Sequence, residues 1–186
     1  MRNTFAHRRV ALLAIAATLS AGCATAARPG NMVVNADSLP VPPASFSLAQ
    51  TLRVASVSGG KATNPMWKSK IGNAEFRAAL EQSLRAAQLL AVSSDGVQYL
   101  LDAELVRVDQ PSFGFNLTVT MTVNYKLSEA ATGRLVWRDS VAASHTAQFS
   151  EALAGVKRLR LANEGAARAN IAELIDSLFL LKLGTS

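Results

Sequence analysis

Between Phe115 and Leu127 the chain alternates without a break. Phe115, Leu117, Val119, Met121, Val123, Tyr125 and Leu127 are apolar or aromatic, and Asn116, Thr118, Thr120, Thr122, Asn124 and Lys126 between them are polar. A period of two sends successive side chains to opposite faces, so this segment predicts a strand with one buried face and one wet or polar face. Residues 52–57 and 99–108 are further strand candidates, and Ala131-Thr132-Gly133 turns the chain into a fourth over 134–143, with Leu135 and Trp137 on one side. A period near 3.6 appears twice. Asn73 can cap a helix in which Phe76, Leu80, Leu84, Ala87 and Leu90 recur at spacings of 4, 4, 3 and 3. The second helix spans 155–181: at about 100° per residue, Val156, Leu159, Ala166, Leu174 and Leu181 share a face and Lys157, Arg160, Glu164 and Arg168 lie opposite. Arg160, Glu164 and Arg168 then form a solvated ladder of i,i+4 pairs, with Leu161, Ile171 and Ile175 on the outer side of the helix. Asn163 and Asn170 fall inside the apolar stripe and call for hydrogen-bond partners there, with strand ends as the expected source. The order β-α-β-β-β-α, with one apolar face per helix, predicts an α+β fold: a two-layer α/β sandwich with two helices on one face of a mainly antiparallel sheet, over 51–183.

The first residues follow a different pattern. Arg2, His7, Arg8 and Arg9 precede an apolar run from Val10 to Leu19, which ends at Leu19-Ser20-Ala21-Gly22-Cys23. A basic start, a short apolar run and small residues make a signal peptide over 1–22. Ten apolar residues reach about 15 Å, half of a ~30 Å hydrocarbon core, too short for a spanning anchor. Small residues just before a cysteine resemble the lipobox of bacterial lipoproteins, with Ser20 where Leu is more usual. The resemblance implies a diacylglyceryl group on Cys23, cleavage before it, acylation of the new amino terminus, and export by the general secretory route. Cys23 is the one cysteine of the chain, so no internal disulfide competes for the thiol. Each buried methylene contributes about 0.8 kcal/mol, so several acyl chains hold the protein on a bilayer effectively permanently. By the same resemblance, Ala24 in place of the aspartate that retains lipoproteins at the inner membrane favours the periplasmic face of the outer membrane.

Composition adds two points. The leader carries three arginines, and without them the formal charge falls from +6 to +3, so the basic character is partly the leader's. A nucleic-acid partner is excluded by the compartment and by the lack of any basic-aromatic motif. Residues 24–50 carry Pro29, Pro40, Pro42 and Pro43 among Ala, Ser and Asn with no sustained period, although Met32-Val33-Val34 is able to pack locally. With the lipidated Cys23 they read as a tether over 23–50 that lifts the domain by roughly 25–30 Å.

The architecture looks like the small periplasmic α/β domains of other envelope lipoproteins, such as the plug of the lipopolysaccharide translocon or the curli-secretion lipoprotein, an analogy that carries no function. A nearer resemblance, on the phrases VVNADSLP (33–40), VSGGKATNPMW (57–67), FRAALEQSL (76–84), QPSFGFNLTVTMTVNY (110–125) and VKRLRLANEGAARANI (156–171), is to uncharacterised small proteobacterial lipoproteins. Relatives sometimes carry the label UDP-N-acetylglucosamine acyltransferase. Enzymes properly so named are left-handed β-helices with hexapeptide repeats and a catalytic histidine, and no such repeat occurs in this chain.

Little catalytic chemistry remains in the mature part. With His7 in the leader and Cys23 acylated, His145 is the one histidine, which leaves no Cys-His pair and no multi-histidine zinc site. A serine triad could use His145 with Asp139 or another acid, but no GxSxG elbow accompanies them, and His145 reads as a solvent-exposed residue near a strand end. The Ser58-Gly59-Gly60-Lys61-Ala62-Thr63 segment lacks the P-loop spacing, with Ala55 and Ala62 at positions that need Gly and Ser or Thr. It does place Lys61, Lys68 and Lys70 beside Met66 and Trp67, in a stretch from Ser38 to Ala74 that holds no acid. These five residues form a candidate contact for an envelope protein or an anionic glycolipid. Trp67 folded back as a plug with solvated lysines around it fits the same residues. The resulting expectation is a membrane-anchored envelope lipoprotein, non-catalytic and without a cofactor, acting as a binding or assembly accessory. An enzyme acting on envelope glycan or lipid and a purely structural lipoprotein are the alternatives.

Overall fold

The alternating segment forms the longest-paired strand of a four-stranded sheet. The computed structural model describes residues 24–39, 46–64 and 68–181. In chain order these fold as α1 (Pro29–Met32), β1 (Leu52–Ser58), α2 (Asn73–Ala86), β2 (Tyr99–Asp109), β3 (Leu117–Glu129), β4 (Leu135–Ala147) and α3 (Gly155–Leu180). Single 3-10 turns occur at Ala36–Ser38, Ser94–Gly96 and Phe149–Glu151. The sheet order is β1-β2-β3-β4, parallel between β1 and β2 and antiparallel thereafter. The parallel pair needs a crossover, which α2 provides; the rest is a meander.

The apolar set of β3, Leu117 through Leu127, is buried, and its polar set faces out. On that outer face Thr118 pairs with Thr146 at 2.8 Å and Thr120 with Ser144 at 2.7 Å, cross-strand contacts suited to a wet surface. Both long helices lie on the other face, α3 over β3 and β4 and α2 against β1. The α+β class and the one-sided placement of the helices are as the periodicity predicts. Asn170 sits under the sheet's centre: Tyr125 donates its phenol proton to Asn170 Oδ1 at 2.8 Å, and Asn170 Nδ2 donates to the carbonyls of Val141 and Met121 at 2.8 and 3.3 Å. Its partners are mid-strand groups rather than strand ends.

Residues 24–39 are not a tether. Ala24, Ala27, Met32 and Val34 are buried, and Met32 and Val34 join Ile171 and Ile175 in one apolar cluster. The segment lies across α2 and α3 as an outer layer, held by single anchors rather than by a periodic face, which is why no period marks it. Farther along, Leu48 is buried and Phe46 meets Phe179 edge to face with ring centroids 5.0 Å apart. Two expectations for α3 fall with the tether. Ile171 and Ile175 lie beneath this layer rather than on an outer surface, and Leu161 is half-buried. Arg160 and Glu164 are buried too, and only Arg168 of the expected ladder remains exposed. Glu164 Oε1 accepts from the Arg28 backbone N–H at 2.8 Å and Oε2 from Asn31 Nδ2 at 2.8 Å, with Arg160 Nε 3.5 Å away. Arg168 Nη1 donates to the Asn31 carbonyl at 2.9 Å.

Two boundaries and one facing also change. Phe115 continues the alternation in sequence, but β3 starts at Leu117, because Gly114 at φ +150° bends the chain before it. Asn73 is the first helical residue of α2 rather than its cap, and its Oδ1 accepts from the Gly60 N–H at 2.7 Å. A register shift near Leu127 leaves Leu135 about half exposed while Trp137 packs against the core.

Candidate functional site

β1 leaves the sheet at Gly59, whose φ is +78°. No side chain fits there, since a Cβ would stand 2.2 Å from the Leu105 carbonyl oxygen. This approach meets β2 where its pairing with β3 slips between Leu105 and Arg107. The following loop closes on itself: the Lys61 N–H donates to the Ile71 carbonyl at 2.9 Å, and the Thr63 hydroxyl donates to the Lys70 carbonyl at 3.0 Å and accepts from the Lys70 N–H at 2.8 Å. Lys61, Lys68 and Lys70 are thereby brought to one cleft of about 480 Å³ whose far wall is residues 105–110. Arg107 joins them, donating from Nε to Asp109 Oδ1 at 2.7 Å, and Lys68 Nζ donates to Ser112 Oγ at 3.2 Å. Four cations and one carboxylate line the cleft, so its potential is positive. The structure brings the three predicted lysines together. Met66 and Trp67 lie outside the described residues, as does Cys23.

Ser69, between two of these lysines, is fully buried and ties four segments together. Its hydroxyl donates to the Thr25 carbonyl at 2.8 Å, and its own carbonyl accepts from Gln110 Nε2 at 2.8 Å and Asn163 Nδ2 at 2.9 Å. The start of the packed segment, the lysine loop, the end of β2 and the first half of α3 are therefore joined through one buried residue. Asn163, expected to need a partner, finds it here.

Sequence reasoning missed a second feature of this end. Phe113, Phe115 and Leu153 are 90%, 79% and 81% exposed, and Phe149 is 42% exposed. Phe115 and Phe149 meet edge to face at 5.7 Å. Arg158, itself buried, clamps the two loops that carry them: Nη1 donates to the carbonyls of Ala152 and Leu153, Nη2 donates to Gly114 O at 3.1 Å, and the guanidinium lies 5.1 Å from the Phe149 ring centre. The available signal was Pro111-Ser112-Phe113-Gly114-Phe115, two aromatics among turn residues.

His145 is not a solvent-exposed residue. It is partly buried on the inner side of β4 against α3, where a Cβ on Gly165 would come within 2.0 Å of its Cδ2. Asp139 is six residues back on the same strand, roughly 20 Å away at about 3.3 Å per residue, and its Oδ1 accepts from the Ser140 N–H. No triad forms from these two. Among the described residues no group of three His, Cys, Asp or Glu side chains is placed to hold a metal ion.

No protein-family model and no curated protein matches this chain. Solved structures do. A Xanthomonas campestris protein of the DUF330 family aligns with a TM-score of 0.55 at 15% identity, over 77% of this chain and 92% of that one. PelC, a dodecamer from Paraburkholderia phytofirmans, aligns at 0.48 with 16% identity, over 75% and 94%. A minor lipoprotein from Acinetobacter baumannii aligns at 0.37 with 12% identity, over 71% and 89%. The first of these shares the fold. That fold is a mixed sheet with helices on one side, not the β-helix of the acyltransferases, and none of these proteins carries the acyltransferase label. No helix among the described residues is long and apolar enough to cross a membrane.

Proposed function

We propose that the chain is a lipid-anchored lipoprotein of the bacterial envelope, held through Cys23 on the periplasmic face of the outer membrane, and that it works as a non-catalytic binding accessory. The observation that carries this reading is the cleft of Lys61, Lys68, Lys70 and Arg107, a positively charged surface. Its ligand is anionic. Met66 and Trp67, which belong to the same loop by sequence, are the apolar part of the proposed contact.

The test has two parts. Replacing Lys61, Lys68 and Lys70 together with Gln removes three charges and no core contact, so the fold should persist while binding to anionic partners weakens and loses its dependence on salt. Unchanged binding and unchanged salt dependence would refute the cleft as the contact. Independently, Cys23→Ser cannot form the thioether, so incorporation of a clickable fatty acid should vanish. Persistent labelling would refute the lipid anchor.

A further inference from the structure

The absence of a tether fixes which way the domain faces. Ala24 is buried, and Thr25 is tied to Ser69 in the lysine loop and by its hydroxyl to Arg160. Cys23 is bonded to Ala24, one Cα step of about 3.8 Å away. Resting on the reading that Cys23 is acylated, the lipid begins at the end of the sheet that carries the cationic cleft, where Ala24 lines an adjoining cleft with Gly60, Ala62, Thr63 and Glu75, and with no length of chain to lift the domain away. The same end of the sheet carries the exposed Phe113, Phe115 and Leu153, and Lys68 bridges the two features through Ser112.

From this juxtaposition we infer that the end of the domain bearing Phe113, Phe115, Leu153 and the cleft lysines lies flat on the bilayer, its apolar side chains in the interface and its lysines against lipid phosphates. Three observations agree on that occupant. The proposed acyl anchor on Cys23 joins the domain at this end, through the buried Ala24. The exposed apolar residues sit on loops rather than on a flat sheet edge, the shape that enters a headgroup layer a few ångströms deep. The cationic groups lie beside them, where long aliphatic stems follow the apolar surface while the ammonium groups stay at phosphate level. Arg158 fixes the geometry by holding both aromatic loops through their carbonyls, so the patch is presented without cost in loop order. The anionic ligand of the cleft is then the phosphate of a phospholipid headgroup.

The test uses the full chain, made in an envelope-bearing bacterium and reconstituted into vesicles of phosphatidylethanolamine and phosphatidylglycerol. Because acylation consumes the one native thiol, Phe113→Cys provides a single site for a polarity-sensitive dye, and Val92→Cys, 85% exposed near the opposite end, is the control. The expected result is blue-shifted emission at position 113, quenched by spin labels on the acyl chains, with water-like, unquenched emission at position 92. One dye per chain with water-like emission at 113 would overturn the orientation alone. A dye at 113 that is shielded from water but untouched by lipid quenchers would put a protein on this surface and also overturn it. Two dyes per chain would reveal a free Cys23 thiol and overturn the anchor together with the orientation.

Discussion

Glu164→Ala is the most informative single substitution, because the carboxylate holds residues 24–39 to the domain. Its side chain is 2% exposed, it stands 3.5 Å from the guanidinium Nε of Arg160, and it accepts from the Arg28 N–H and Asn31 Nδ2, both at 2.8 Å. Removing one partner of a buried pair costs about 3–5 kcal/mol, most of it the burden of the charge left behind. Two hydrogen bonds to a carboxylate are worth about 1.5–3 kcal/mol each, though within one network these terms do not add. There is an escape route. If the segment peels away, Arg160 and both donors regain water, and the loss is capped at whatever the segment contributes. Either way the free energy of opening the segment should fall by about 3 kcal/mol, which multiplies the open population by roughly 150. Met32 is buried, so thermolysin reaches the 31–32 bond only in the open state, and its cleavage rate reports that population. Trypsin would not serve, because Pro29 follows Arg28. Glu164→Gln keeps the shape and one acceptor oxygen and should raise the rate less. Equal cleavage of wild type and Glu164→Ala would refute the claim that this carboxylate holds the segment, and would restore the tether that composition suggests.

Gly165→Ala should destabilise the domain by about 1–3 kcal/mol despite the roughly 1 kcal/mol that alanine adds to a helix, because the new methyl meets the His145 ring. Chemical denaturation measures it, and a neutral or stabilising result would show that the ring moves aside freely. Burial pushes the Tyr125 phenol far above its ordinary value of about 10, so the neutral form is favoured in the folded state. Stability should therefore be full below pH 10 and fall as pH rises above it, and Tyr125→Phe should flatten that slope; an unchanged slope would place the alkaline sensitivity elsewhere.

The parts of the fold that were legible have one wet face. β3 announces itself because its outer threonines meet water and its inner residues do not, so burial is written as a period of two. α3 is harder, because it is covered on both sides by the sheet and by residues 24–39, and a helix buried nearly all round loses the contrast that separates an inner from an outer stripe. Leu161, Ile171 and Ile175 read as surface for that reason. Glu164 was misread by the same route: the spacing that makes a solvated ladder with Arg160 and Arg168 also presents a carboxylate to any chain crossing the helix. The chain that crosses lies 136 residues away in sequence at Arg28, beyond the reach of any local pattern.

At the cleft, the lysine loop was visible as an acid-free stretch, whereas Arg107 was not, because it enters only where β2 slips against β3. Phe115 shows how a correct pattern misleads. It stands two residues before Leu117, in phase with the buried set, and periodicity alone places it in the core. The chain after Gly114 is still a bend through Phe115 and Asn116, and the ring turns outward onto Phe149 from the neighbouring loop. Exposing it has a cost in water that a bilayer would remove, which is the physical ground for the proposal that the rings at 113 and 115 and the lysines beside them face the membrane when Cys23, next to the buried Ala24, is acylated.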